Sequence, residues 1–413
     1  MKPNAITRRS FIAASSAFTV GRTWTAASYA RVAGSNDRIG IGLIGCGSRG
    51  SALRQEVLQH AEAANARVLA VCDIWDAMRE KAAQHVEDIQ GDAPQPYADY
   101  RDLLSHAGLH AVVIATPDHQ HPIMLRDAAR AKLDAYVEKP LAIDFEDLCE
   151  AYDAVKANGT IVQNGTQLRS LPSFTGCREF VTSGRLGTIL RFEQARNEYV
   201  PYWHQYLREI KPENTNWQAF LMHAEFQPWN PEVYTGWMGY RPFSNGAFGG
   251  YMTHFTDLVH YITGVTPPLS VVAMAWKNQH KAPFTVPASV QAVFEYPGGF
   301  SVSYHTTTGN GGANFFRAIG SQGILDMTDW NHPVASGEGS QDPQALKEKT
   351  AIPPIPRDEH MLNWLKCVRS REQPNADIDA GFYQALTAIM PDESLRQGRR
   401  IRFDSVQRKL IAV

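Results

Sequence analysis

Ile39-Gly40-Ile41-Gly42-Leu43-Ile44 runs directly into Gly45-Cys46-Gly47-Ser48-Arg49-Gly50. The first six residues read as a buried strand, and the glycines after it match G-x-G-x-x-G. That order specifies a strand, a tight turn and a helix. Gly45 makes the turn, Gly47 lets backbone approach a pyrophosphate, and Gly50 permits close packing of helix on strand. The pyrophosphate then sits at the N-terminus of the helix that begins near Ser48. A second apolar run, 67–72, ends at Asp73, 23 residues beyond Gly50. A carboxylate there accepts hydrogen bonds from ribose hydroxyls and repels a 2′-phosphate, so the reading favours NAD over NADP.

Outward from this segment the chain alternates strand and helix to about residue 165. Further apolar runs lie at 111–115, 134–137 and 161–162, with helical stretches such as 52–64 and 122–131 between them. Short strands without polar alternation, separated by helices, predict a parallel sheet covered on both faces. Ligands in such folds bind beyond the carboxyl ends of the strands. The runs end at Asp73, at Thr116-Pro117-Asp118, at Glu138-Lys139-Pro140 and at Gln163-Asn164-Gly165, so the polar residues gather at that edge.

After about residue 170 the pattern changes. Val290, Ala292, Phe294 and Tyr296 alternate, Pro297-Gly298-Gly299 turns, and Phe300, Val302 and Tyr304 alternate again. This predicts an antiparallel hairpin. Stretches 315–319 and 323–327 read as strands, 331–357 as loop, and 359–369 and 380–389 as closing helices. The division is a leader over 1–30, a dinucleotide-binding domain over 37–165, and a substrate and oligomerisation domain over 166–413. The last is expected to pack helices on an open, mostly antiparallel sheet.

The 413 residues are 44% hydrophobic and 20% charged, with a net charge of −2. This is a globular composition with a large core, and the absence of a basic stretch argues against a nucleic-acid partner. Five cysteines without CxxC spacing do not form a disulfide framework. Thr7-Arg8-Arg9-Ser10-Phe11-Ile12, followed by a weakly apolar stretch and Ser28-Tyr29-Ala30, resembles a twin-arginine export signal with its cleavage site. It predicts recognition by the twin-arginine machinery, a periplasmic or extracellular location and no membrane anchor. A nicotinamide enzyme outside the cytosol has left its cofactor pool behind, so it is expected to hold its dinucleotide tightly and re-oxidise it in place.

Lys139, at the carboxyl end of a strand, is expected to project towards the nicotinamide. A desolvated lysine has its pKa lowered towards neutrality and acts as a general acid or base. Asp118-His119-Gln120-His121 also admits a metal reading, through His-x-His with His254 and Asp257; the prediction is no metal.

Taken together, Gly45-Cys46-Gly47-Ser48-Arg49-Gly50, Ala115-Thr116-Pro117-Asp118 with His121, and Glu138-Lys139-Pro140 resemble the glucose–fructose oxidoreductase, inositol dehydrogenase and MocA family (Gfo/Idh/MocA) in order and spacing. Gln163-Asn164-Gly165-Thr166-Gln167-Leu168-Arg169 looks like a segment of its exported members. The resemblance implies a Rossmann domain, a C-terminal α/β domain with an open sheet, a bound nicotinamide cofactor, a sugar or polyol substrate and a homo-oligomer. It adds Thr116, Pro117, Asp118, His121, Glu138, Lys139 and Gln167 to the cofactor site. A second family motif, D-x-x-x-H-x-x-D on a helix, matches Gly250 to Asp257. His254 and Asp257 fit, and Gly250 replaces the first acid. Lys139 and His254 are then left to move the proton, with Asp257 orienting the imidazole or contacting the closing helix.

The stretch 199–241 holds Tyr199, Tyr202, Trp203, His204, Trp217, Trp229, Tyr234, Trp237 and Tyr240. Rings stack on the apolar faces of sugars, and two or three of these are expected to touch ligand. Trp203, His204, Trp237, Tyr240, Arg241 and Arg169 are the substrate candidates. The reading is an exported oxidoreductase that passes hydride between a sugar or glycoside carbinol carbon and bound NAD. Two alternatives stand beside it: a redox-neutral, NAD-dependent glycosidase, and a sugar-binding protein on a dehydrogenase scaffold.

Overall fold

The computed structural model describes residues 38–208, 210–276 and 284–413. The leader expected over 1–30 lies outside them. Among the described residues no helix is long and apolar enough to cross a membrane.

The first sheet holds β1 (Ile39–Ile44), β2 (Ala66–Cys72), β3 (Gln95–Tyr97), β4 (Ala111–Ile114), β5 (Asp134–Val137) and β6 (Val162–Asn164). Their spatial order is β3-β2-β1-β4-β5-β6, with every pairing parallel. This is the Rossmann order, with its topological switch between β1 and β4. Strands β1, β4, β5 and β6 are buried throughout. Helices α1 (Ser48–Ala64), α2 (Asp76–Gln90), α3 (His121–Arg130) and α4 (Phe145–Asn158) connect them. Strand β3, Gln-Pro-Tyr, is short and half exposed, so it carries no apolar run by which to recognise it.

The second sheet has ten strands in the order β14-β13-β12-β11-β7-β10-β9-β8-β15-β16. In chain order they are β7 (Ile189–Ala195), β8 (Ser270–Trp276), β9 (Ser289–Glu295), β10 (Ser301–Thr306), β11 (Phe315–Gly320), β12 (Gly323–Asp326), β13 (Val334–Ser336), β14 (Thr350–Ala351), β15 (Ile401–Asp404) and β16 (Lys409–Ala412). The predicted hairpin is β9–β10, pairing Glu295 with Ser301. All neighbours are antiparallel except β7 and β10. The stretch 331–357, expected as loop, contributes the short strands β13 and β14.

One face of this sheet is covered by α5 (Thr253–Thr263) and α7 (Ile378–Gln397), whose buried side chains share a core with β7 to β12. The chain does not divide as cleanly as the boundary at 165 and 166 supposes. Helix α6 (His360–Ser370) belongs by sequence to the second part, yet Met361, Trp364, Leu365 and Val368 pack with Ile39, Ile41, Val57 and Val113. The first sheet therefore needs late chain to close its core. A buried ion pair between Arg371 and Asp134 pins the same junction.

Candidate active site

The fingerprint folds as its glycines require. Gly45 has φ +87°, and Gly50 lies so close beneath it that a Cβ there would sit 1.9 Å from the Gly45 carbonyl oxygen. At Gly47 an added Cβ would meet nothing within 4 Å. The loop is thus closed behind and open in front, at the uncapped N-terminus of the 17-residue α1. The first N–H groups of a helix lack intrahelical partners and favour an anion. Asp73 stands beside the loop, accepting from the Cys46 N–H at 2.7 Å and the Trp75 N–H at 2.8 Å. Burial pushes its carboxyl pKa up, and these backbone donors act against that shift. Each oxygen retains a lone pair for a further donor.

The loop opens on a cavity of about 1360 Å³ that runs from Asp73 past the ends of β4 and β5 to the second sheet. Gly45, Gly47, Ser48, Arg49, Asp73, Thr116, Pro117, Asp118, His121, Glu138, Lys139 and Gln167 all line it. Cys46 and Gly50 lie behind the loop. Arg49 reaches from the fingerprint to Glu138, donating Nε–H to Oε1 at 2.7 Å, and Gln167 donates to the same oxygen at 2.9 Å. Arg49 Nη2 is buried and unpartnered. An open cradle at a helix N-terminus, a carboxylate beside it and an unpartnered guanidinium nitrogen fit a dinucleotide with its pyrophosphate over Gly47. His121 ties two strand ends together, its ring nitrogens 2.7 Å from the Thr116 oxygen and 2.8 Å from the Pro140 oxygen. Burial pushes the ring towards neutrality, and a neutral imidazole donates to one of the two. His119 donates its Nε2–H to the Phe220 carbonyl oxygen at 2.8 Å, and no metal-holding cluster exists among the described residues.

Lys139 points from the end of β5 to the opposite wall. Its Nζ donates to the Gly250 oxygen at 2.9 Å and the Gly249 oxygen at 3.2 Å. Those carbonyls belong to a π-turn, Phe248–Met252, just before α5. A π-turn breaks the i to i−4 ladder and frees carbonyls, and such turns recur at functional sites. Burial pulls the Lys139 pKa down, while the Asp118 and Glu138 carboxylates act to raise it. Asp118 itself is buried, accepts from Ser244 Oγ at 2.8 Å, and has its pKa pushed up to about 7 by burial, against the Lys139 charge. His254 lines the cavity, and its Nδ1 is buried without a partner. Burial, then the positive charges of Lys139, Arg49 and Arg196, drive its pKa well down, so the ring is neutral.

Several sequence expectations are corrected here. Asp257 does not face His254. It is fully buried, and its two carboxylate oxygens share the Arg169 Nε–H at 2.9 and 2.8 Å. Arg169 is thereby spent on Asp257 and leaves the substrate wall. Arg241 is likewise held by Asp392, at 2.7 Å from Nη1, because an acid on α7 lies within reach. Trp203 is wholly buried, Tyr240 joins a satellite core with Phe220 and Phe243, and His204 points to solvent. None of these six lines the cavity. Of the aromatic candidates Trp237 does, together with Tyr202 and Tyr234. The wall opposite the nucleotide loop comes instead from Gln194, Arg196 and Glu198, at and beyond the end of β7, with Tyr206 and Trp330. The alternation of β7 is weak, which hid these residues in the sequence.

The aromatic stretch forms a strap over the Asp73 end of the cavity. Thr215 makes an antiparallel bridge to Trp75, and the Asn216 N–H donates to the Ile74 oxygen at 3.0 Å. The Arg208 guanidinium lies 4.9 Å from the centre of the Trp75 ring. At the other end of the strap, Phe220 O accepts from both His119 and Gln120.

Residues 39–166 match the family model described as "Oxidoreductase family, NAD-binding Rossmann fold", and residues 218–326 match the Gfo/Idh/MocA C-terminal domain. A levoglucosan dehydrogenase of Pseudarthrobacter phenanthrenivorans is 26% identical over 180 residues, 43% of this chain and 39% of the relative. A glycosyl hydrolase family 109 protein of Shewanella sp. (strain ANA-3) is 27% identical over 240 residues, 56% of this chain and 48% of the relative. The chain thus spans less than half the length of these curated relatives. A solved levoglucosan dehydrogenase in complex with NADH and levoglucosan has the same fold, with TM-score 0.67 and 19% identity over 88% of this chain and 99% of that one.

Proposed function

The chain belongs to the Gfo/Idh/MocA oxidoreductase family, with an NAD-binding Rossmann domain, and from that premise we propose that it is an exported enzyme that oxidises a ring hydroxyl of a sugar or glycoside with a tightly held NAD. One observation carries the reading: a buried lysine at the end of β5 and a neutral histidine at the start of α5 share one cavity with the nucleotide loop. A nicotinamide bound there would supply the acceptor for hydride from the carbinol carbon. Asp73 would hold the ribose, and the Gly47 cradle with Arg49 would take the pyrophosphate. Lys139, its ammonium form disfavoured by burial, takes the hydroxyl proton at Nζ. His254 accepts a hydrogen bond from a second sugar hydroxyl or donates one to it. The strap supports tight holding, because the Trp75–Thr215 bridge and the Arg208–Trp75 contact tie it down beside Asp73.

Export rests on the leader with Arg8-Arg9, and a homo-oligomer on the second sheet. There Val272, Met274, Trp276 and Val293 present one exposed apolar face of β8 and β9, and apolar patches of this kind mark association surfaces.

The test is an absorbance spectrum and acid extract of the purified full-length protein, before and after a panel of aldoses, inositols and glycosides. NAD that co-purifies, is reduced by one equivalent and stays bound is the expected result. Bound NAD with release of an aryl leaving group and no net reduction indicates the redox-neutral glycosidase. No dinucleotide, even after incubation with excess NAD, leaves a sugar-binding protein.

The preference for NAD over NADP has its own test at Asp73. Asp73→Ser is expected to weaken NAD binding by about 1.5–3 kcal/mol, the range for hydrogen bonds to a charged group, and to weaken NADP binding less. Titration of nucleotide-free protein with both cofactors measures this. Unchanged selectivity would remove Asp73 from the ribose.

A further inference from the structure

Position 250 is glycine where the helix motif carries an acid, and the fold has put something else in that space. A Cβ built on Gly250 would lie 3.3 Å from the Tyr202 hydroxyl oxygen and 3.7 Å from its ring carbon Cε1. The side chain of Tyr202 therefore fills the volume that an acidic side chain at 250 would enter. The same glycine offers its carbonyl oxygen to Lys139 Nζ at 2.9 Å, so the phenol and the lysine amino group both border one residue. Tyr202 lines the cavity, and among the described residues nothing hydrogen-bonds its hydroxyl.

Neighbouring rings hold Tyr202 on three sides. The ring sits in edge contact with Trp203, Tyr206 and Tyr251, at 5.4, 6.2 and 5.1 Å between centres. Its backbone N–H donates to Tyr251 Oη at 3.0 Å, and Tyr251 donates in turn to Glu198 at 2.8 Å. An unpartnered hydroxyl in a cavity that a lysine also lines, its ring packed on three sides, is a group prepared for a ligand's hydroxyl.

Resting on the oxidoreductase reading, we propose that Tyr202 is a catalytic residue that relays the substrate proton to Lys139, in the place of an acid at position 250. As the carbinol carbon gives its hydride to oxidised nicotinamide, the C–O bond becomes a carbonyl. The carbinol proton passes to Tyr202 Oη while the phenol proton passes to the lone pair of Lys139 Nζ. Tyr202 ends protonated, Lys139 ends as an ammonium, and the reverse sequence serves carbonyl reduction.

Because Gly250 and Tyr202 share one volume, exchanging the two is the decisive test. The best substrate of a panel of aldoses, inositols and methyl glycosides is used with the full-length, NAD-loaded protein. Tyr202→Phe is expected to lower kcat about 100-fold and to change the solvent isotope effect on reduction. Sugar affinity, read from tryptophan fluorescence of the NADH-loaded protein, should persist. Gly250→Asp alone should impair turnover by displacing the phenol. The double variant Tyr202→Ala with Gly250→Asp should recover part of the activity that Tyr202→Ala loses. Wild-type kcat and isotope effect in Tyr202→Phe would overturn the assignment, as would a Gly250→Asp variant faster than wild type with Tyr202 intact. A wild-type protein that reduces its NAD with no sugar of the panel would instead overturn the oxidoreductase reading, and this assignment with it.

Discussion

Lys139→Met should lower sugar-dependent reduction of bound NAD by about 10²- to 10⁴-fold, the usual worth of a positioned general acid or base. Methionine keeps most of the unbranched stem and removes the nitrogen that reaches the Gly249 and Gly250 carbonyls. Gly250 lines the cavity, where water can satisfy its carbonyl, and the Gly249 oxygen keeps the Thr253 hydroxyl at 2.7 Å, so the fold should survive. Lys139 Nζ bonds these two carbonyls and no group of the nucleotide loop, and nucleotide content should therefore remain at wild-type levels. Initial rates, together with the extracted dinucleotide per protein, give the comparison. A Lys139→Met protein with full NAD and near-normal turnover would leave the buried lysine without a chemical role. Loss of NAD along with activity would instead assign it to cofactor binding.

Gly50→Ala should abolish nucleotide binding and destabilise the first domain by roughly 3 kcal/mol or more, the upper range for overpacking. The added methyl group would lie 1.9 Å from the Gly45 oxygen and 2.8 Å from its carbonyl carbon. Backbone is what it strikes, so no side chain can turn aside and α1 must move off its loop. Gly47→Ala is the matched control. Its methyl enters open space, so the melting temperature should stay near wild type while NAD binding weakens, because that space is where the pyrophosphate approaches. Calorimetric melting and NAD titration of both variants separate the outcomes. Equal losses of stability in the two would mean that the glycines serve folding alone.

The contrast between these glycines also marks where sequence reading succeeds. The fingerprint, Asp73, Thr116, Asp118, Glu138 and Lys139 stand at the ends of short apolar runs, and a parallel sheet brings those ends to one edge whatever else the chain does. Their presence in one cavity was therefore legible from local order. The substrate wall was not. Arg169 and Arg241 look free in sequence because their carboxylate partners, Asp257 and Asp392, are 88 and 151 residues away. The aromatic stretch reads as a sugar platform, but most of its rings bury one another, as Trp217 does on Phe220 at 5.0 Å. Gln194, Arg196 and Glu198 gave no signal because the strand they follow alternates weakly between one face and the other.

The local pattern alone thus determined the Rossmann half, the cofactor class and the lysine, since each depends on period, glycine sterics and position at a strand end. Tertiary structure decided which charges are already neutralised, which aromatic rings face the cavity, and that a phenol from the strap fills the volume left open at Gly250. Those outcomes depend on which distant side chains reach a common volume first, and one-dimensional spacing carries no measure of that competition.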